Sequence, residues 1–238
     1  MLSEKMVKSP MIIYGKQVVL HALRRHPEQV HKIYIAKKGV LPQDLFEKYG
    51  DKITFIENRW AQQLSRGGNH QGLLAEIEDY RPASLAEVKE GDFVLVLDTL
   101  TDAGNIGAIV RSAYALGVDG IVATGIGQLN FSAVTRTSSG ALLEMPFALH
   151  RNILDVLHEL KQAGHRLYGA SMEGEPIEEK LFDRKRTLVL GSEERGISKK
   201  ARERLDETVA IRMKRPFDSL NVSAAAAIMI HRMSYAVE

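Results

Sequence analysis

Apolar and polar positions alternate along this 238-residue chain in two different ways, one in roughly its first third and one in the remainder. From about residue 10 to 80 the apolar runs are short and interrupted. Val18, Val19, Ala22 and Leu23 recur at helical spacing, so Gly15 to Arg25 is expected to be a helix. A short strand is expected over Lys32 to Ala36 and a second helix from Leu41 to Tyr49, with Pro42 near its start. Ile53 to Ile56 then reads as a strand, Arg59 to Leu64 as a helix, and Leu73 to Ile77 as a strand. Arg66-Gly67-Gly68-Asn69 is a loop by its turn-forming residues, and Arg81-Pro82-Ala83-Ser84 closes the unit. The expected division is a small α/β domain over 10–80, a linker over 81–90 and a larger domain over 91–238.

The larger domain opens on Phe93-Val94-Leu95-Val96-Leu97-Asp98, continuous apolar residues of the kind a parallel strand needs when helices cover both its faces. Gly120 to Thr124, Arg166 to Ala170, Thr187 to Gly191 and Thr208 to Ile211 repeat the pattern. Helical spacings lie between them at 106–116, 151–162 and 221–236. Strands alternating with helices imply an α/β fold with a mostly parallel sheet and right-handed crossovers.

Composition narrows the chemistry. There are no cysteines, which excludes disulfides, thiolate metal sites and a cysteine nucleophile. No apolar run approaches the roughly 20 residues of a membrane helix, and the first ten residues lack the apolar core of a signal peptide. A cytoplasmic protein is expected. Net charge is only +2, but its distribution is uneven: residues 1–40 hold eight Lys/Arg against Glu4 and Glu28. A basic first segment fits a surface for a phosphate backbone, and Lys16, Arg24 and Arg25 are its candidate contacts.

In open parallel sheets, ligands bind beyond the carboxyl ends of the strands. Three loops lie there. The first runs from Asp98 to a helix opening near Asn105, with Gly104, Gly107 and Arg111 close by. It fits neither dinucleotide nor P-loop spacing. The second, Gly191-Ser192-Glu193-Glu194-Arg195-Gly196, holds adjacent carboxylates that suit metal ligation, an acid/base pair, or one ligand contact beside one solvated charge. No His or Asp stands near them at metal-ligand spacing, so no metal is expected. The third is Ser219-Leu220-Asn221-Val222-Ser223, leading into an alanine-rich helix for which Ser219 is the expected N-cap. None of the eight histidines lies in these loops, so no Ser-His-Asp set is evident.

Together the three loops resemble the motifs of the SpoU/TrmH family, RNA ribose 2′-O-methyltransferases of the SPOUT class. The first motif is Asn105-Ile106-Gly107-Ala108-Ile109-Val110-Arg111, the second Gly191 to Gly196, and the third Ser219 to Ala225. Tyr14-Gly15-Lys16 and His70-Gln71-Gly72 resemble the L30e-like substrate-binding domain of the ribosomal RNA guanosine methyltransferase branch. The resemblance covers nearly all of the chain from about residue 12. It implies S-adenosylmethionine as cofactor, ribosomal RNA as partner, a homodimer and a C-terminal trefoil knot. It implies catalytic roles for Asn105, Arg111, Glu193, Ser219 and Asn221. Gly191, Glu193, Gly196, Ile211, Met213, Leu220, Asn221 and Ser223 become cofactor contacts, and Arg136 joins the candidate RNA contacts. The chain departs from the family pattern at Glu194 and Arg215, where glycine is usual, and at Arg212, where proline is usual. A tRNA methyltransferase and a non-catalytic RNA-binding assembly factor are the alternatives.

Overall fold

The computed structural model describes residues 10–192, 194–216 and 218–237. In chain order its elements are β1 (Met11–Tyr14), α1 (Lys16–Arg25), β2 (Val30–Ile35), α2 (Gln43–Lys48), β3 (Ile53–Phe55), α3 (Asn58–Leu64), β4 (Leu73–Ile77), α4 (Leu85–Val88) and β5 (Phe93–Asp98). Then follow α5 (Ala103–Ala115), β6 (Gly120–Thr124), α6 (Phe131–Thr137), β7 (Phe147–His150), α7 (Ile153–Gln162), β8 (Arg166–Pro176), β9 (Arg186–Gly191), α8 (Lys199–Arg202), β10 (Glu207–Ala210) and α9 (Val222–Tyr235). The chain forms two compact units.

The first unit comprises the residues through Arg81 together with Phe131–Leu143. Its sheet has the order β1-β4-β2-β3. β4 runs antiparallel to both neighbours and β3 parallel to β2. Ile13, Leu23, Ile33, Leu73 and Ile77 are fully buried in its core. α1 turns Val18, Val19, Leu20, Ala22 and Leu23 inward and leaves Lys16, Arg24 and Arg25 exposed, as its apolar spacing dictates. Two elements go beyond the sequence reading. β1 is a four-residue strand held by β4, with Ile13 opposite Ala75. α6 packs on β1, and Ser132 Oγ donates to the Ile12 carbonyl at 2.5 Å.

The second unit, Pro82–Asn130 with Glu144–Glu238, holds a sheet of order β10-β8-β9-β5-β6-β7. Its strand pairs are all parallel, so their carboxyl ends share one edge. β5 and β6 are buried at every position, the outcome expected of uninterrupted apolar runs. β8 continues to Pro176, six residues past the expected end. Its second half pairs with β10 across a register shift between Thr208 and Val209, and the half-buried Ser171 and exposed Glu173 and Glu175 there hide it from an apolar pattern. The linker residues include a helical turn: Ser84 caps α4, accepting from the Glu87 amide while Glu87 accepts from the Ser84 amide at 2.6 Å. Among the described residues no helix is long and apolar enough to cross a membrane.

Candidate active site

The site sits at the shared carboxyl edge of the second unit's sheet. Asp98 and Gly191 end neighbouring strands in direct register. The Asp98 carboxylate is buried, and its Oδ2 accepts from the Ser198 amide at 2.8 Å. That bond ties the far end of the second loop to the end of β5. The loop also closes on itself, with the Gly196 amide donating to the Ser192 carbonyl at 2.8 Å.

Two glycines allow this fold-back. A Cβ on Gly191 would lie 2.0 Å from the Gly196 carbonyl carbon and 2.2 Å from the Ile197 nitrogen, so no side chain fits. Gly196 takes φ +62, in the left-handed region where glycine carries no steric cost. Thr99, just past β5, adopts φ 57, a rare conformation for a β-branched residue and of a kind that collects at functional sites.

The first and third loops meet side chain to side chain. Asn221 Nδ2 donates to Asn105 Oδ1 at 2.9 Å. The same Asn221 caps α9: its Oδ1 accepts from the Ser223 amide at 3.0 Å, the Ala224 amide at 3.4 Å and the Ser223 hydroxyl at 2.6 Å. The N-cap is therefore Asn221 and not Ser219. The helix opens at Val222, and only a side chain one residue upstream reaches its first free amides. α5 likewise begins at Ala103, earlier than expected, because Asp102 Oδ1 accepts from the Asn105 amide at 2.7 Å.

Ser219 and Leu220 line two adjoining clefts. One, of about 590 Å³, also takes in Ala170 to Met172, Ile211 to Pro216 and Met229. The other, of about 340 Å³, takes in Leu190 to Ser192, Gly196, Ile197 and Arg202. Of the expected cofactor contacts, Gly191, Gly196, Ile211, Met213 and Leu220 line these clefts. Asn221 and Ser223 flank them beside Leu220 and Val222. Glu193 lies outside the described residues. Arg111 lines neither cleft and stands on the exposed side of α5, six residues and so about 9 Å along the axis from Asn105.

Sequence reasoning missed Ala170 to Met172, Arg202 and Met229. The signal for the first group was the carboxyl end of a parallel strand, but the strand had been ended at Ala170. In the first unit, Lys16 donates its backbone amide to Gln71 Oε1 at 2.9 Å, and the Arg136 guanidinium stands 5.5 Å over the Tyr14 ring. The two segments quoted for that unit, around Gly15 and Gln71, are thus adjacent.

The clefts suit a bent, partly apolar molecule. The larger falls within the roughly 300–1,000 Å³ usual for small-ligand sites, and Ile211, Met213, Leu220 and Met229 give it an apolar wall. Backbone of the Gly191–Gly196 loop supplies polar groups at close range because Gly191 brings no side chain.

Residues 92–231 match the model of the SpoU rRNA Methylase family. This chain belongs to that family. Residues 12–83 match the family model described as RNA 2'-O ribose methyltransferase substrate binding. The SpoU chain is 31% identical over 236 residues to the 23S rRNA (guanosine-2'-O-)-methyltransferase RlmB of Yersinia pestis, covering 92% of this chain and 94% of that one. It is 30% identical to the RlmB of Escherichia coli, covering 92% and 96%. Among solved structures, the SpoU methyltransferase AviRb from Streptomyces viridochromogenes, in complex with AdoMet, superimposes with a TM-score of 0.74. It covers 95% of this chain and 89% of AviRb at 23% identity, a likeness of fold.

Proposed function

We propose that this SpoU protein transfers a methyl group from S-adenosylmethionine to a ribose 2′-hydroxyl of ribosomal RNA, a guanosine in 23S rRNA. The observation that carries the reading is the Asn105–Asn221 hydrogen bond. It joins the first and third motif loops beside a cleft whose opposite wall is the second. Full-length similarity to 23S rRNA guanosine methyltransferases, and the separate match of residues 12–83, favour ribosomal RNA over tRNA.

S-adenosylmethionine, when bound, supplies an electrophilic methyl on a sulfonium, so the chain needs no nucleophile of its own and the lack of cysteine carries no cost. What the chain must do is position and solvate. Gly191, Gly196, Ile211, Met213, Leu220 and Ser223 form the donor's walls, with Glu193 at the second loop. Asn105 and Asn221, each orienting the other, hold the 2′-hydroxyl beside Ser219. Alignment of this kind is worth roughly 7–11 kcal/mol. Arg111, always protonated, cannot readily remove a proton, so it binds the adjoining phosphate and stabilises the developing alkoxide, while the proton leaves to water. Its distance along α5 from Asn105 suits a role in the site of a second copy, and we take the active form to be a homodimer.

The same reading assigns residues 10–80, with the Phe131–Leu143 segment that belongs to their unit, to RNA binding through Lys16, Arg24, Arg25 and Arg136, with 81–90 as connector. The rest of 91–238 forms the catalytic domain, its carboxyl end drawn through a trefoil knot. The protein works in the cytoplasm, where ribosomes are made, and needs no metal. Mapping 2′-O-methyl groups in rRNA from cells with and without the protein tests this: one guanosine in 23S rRNA should lose its methyl. A methyl lost from tRNA instead, or from no RNA, overturns it.

A further inference from the structure

The two edges of the second unit's sheet treat their cations differently. At the edge where strands begin, cations are taken up by carboxylates. Lys89 reaches Glu159 at 2.7 Å, Lys161 reaches Asp206 at 2.7 Å, Arg184 reaches Asp92 at 2.9 Å, and Arg166 reaches Glu207 at 2.5 Å. At the edge where strands end, Lys199, Lys200, Arg202, Lys214 and Arg215 are all exposed. Among the described residues none of these five is in an ion pair, although Arg212 in the same loop as Lys214 and Arg215 reaches Glu179 at 3.4 Å. Arg202 lines the smaller cleft, and Lys214 and Arg215 line the larger. These cations thus stand on both sides of one opening, which also exposes Ser219 and Leu220.

Glu203 stands among Arg195, Lys199 and Arg202 and offsets the crowding of like charge only in part; such crowding is unfavourable in the free protein and is relieved once a polyanion lies across it. We propose that this rim is a phosphate-binding surface for the backbone of the substrate RNA, placed to lead the strand over the cleft to the 2′-hydroxyl at Asn105 and Asn221. The proposal rests on the methyltransferase reading above and adds to it a contact surface on the catalytic unit, separate from the candidate contacts on the first unit. One of its cations comes from a departure in this chain's own loops: Arg215 stands where the family pattern has glycine, with Lys214 beside it. The contacts are to phosphates and carry no sequence information themselves.

The test uses the full chain, unmodified 23S rRNA transcript and S-adenosylmethionine. Lys199 and Lys200 line neither cleft, so K199Q/K200Q leaves the donor's walls intact. Binding of the transcript should weaken at least tenfold at physiological salt. The slope of log affinity against log salt should fall by about 1.5, since each lost phosphate contact removes about 0.7–0.9. Donor affinity and kcat at saturating RNA should stay within twofold of wild type, with the whole effect in KM for RNA. K199R/K200R should restore binding, and K200Q alone should lower the slope by under 1. Unchanged RNA affinity and slope, with donor binding intact, would make the rim a solvated surface and overturn the proposal. Wild-type protein that binds the donor yet methylates no rRNA overturns the parent reading itself, whatever the slope.

Discussion

Removing the Asn221 side chain separates two jobs that the residue does at once. Asn221→Ala deletes the cap of α9, worth about 1 kcal/mol within a range of roughly 0.5–2. It also deletes the bond to Asn105, a partly exposed hydrogen bond worth about 0.5–1.5 kcal/mol. The sum is about 2 kcal/mol, which for a protein of this size lowers Tm by roughly 4–8 °C. Asn105→Ala forfeits the shared bond, itself worth about 1 kcal/mol. The double variant should therefore be less destabilised than the two singles added, by a coupling of about 0.5–1.5 kcal/mol. Asn221→Asp is the internal control. Its carboxylate still accepts from the Ser223 and Ala224 amides and gains about 0.3–1 kcal/mol from the helix N-terminus, but it has no proton to give Asn105. It should melt near wild type and still lose at least a hundredfold in methyl transfer. Urea unfolding of the four proteins gives the coupling, and single-turnover transfer to 23S rRNA gives the activity. Additive destabilisation within about 0.3 kcal/mol, or an Asn221→Asp enzyme of normal rate, would refute the argument that this bond holds the motif loops in register.

Gly191→Ala has no space for its methyl, so the Gly191–Ile197 loop must shift; stability should drop by about 1–3 kcal/mol and donor affinity at least tenfold, read by calorimetric titration. Asp98→Ala leaves the Ser198 amide unpaired at a buried position, costing about 1–3 kcal/mol and loosening the same loop; a Tm unchanged from wild type would contradict the role given to that bond. His165 is buried between the Thr187 hydroxyl and the Lys89 carbonyl, and burial holds its pKa below the usual histidine value. The unfolded chain then binds the proton first as pH falls, so stability is full above about pH 6.5 and declines below it; His165→Gln should flatten that decline in denaturant midpoints measured from pH 7.5 to 5. Arg111→Lys keeps a charge but loses the planar fork, and kcat should fall at least tenfold with donor affinity unchanged; near-full turnover would remove Arg111 from the phosphate and alkoxide role.

Strands buried on both faces were easy to read because their sequence has nowhere polar to go: β5, β6 and β9 stand within a residue of their apolar runs. β1 is too short to show a period, and it exists because β4 supplies its partner. α6 was invisible for a different reason. Val134, Thr135 and Thr137 are poor helix formers, and its stability comes from packing on β1. In the site, the motif order was legible, and so was a polar helix start near residue 220. Which polar residue capped it was not, since Ser219 and Asn221 are both good caps and only the backbone path decides between them. The contribution of Ala170 to Met172 was likewise hidden, because a wall is made by where a strand stops and polar residues blurred that point.

The account depends on the methyl donor occupying the clefts between the Gly191–Ile197 loop and the Ile211–Leu220 loop. Calorimetric titration of S-adenosylmethionine into wild-type protein and into Gly191→Val tests it most directly. One donor should bind per chain in the wild type, and none should bind measurably in the variant, whose side chain forces the second loop out of place. No binding to the wild type, or equal binding to both, would contradict the claim.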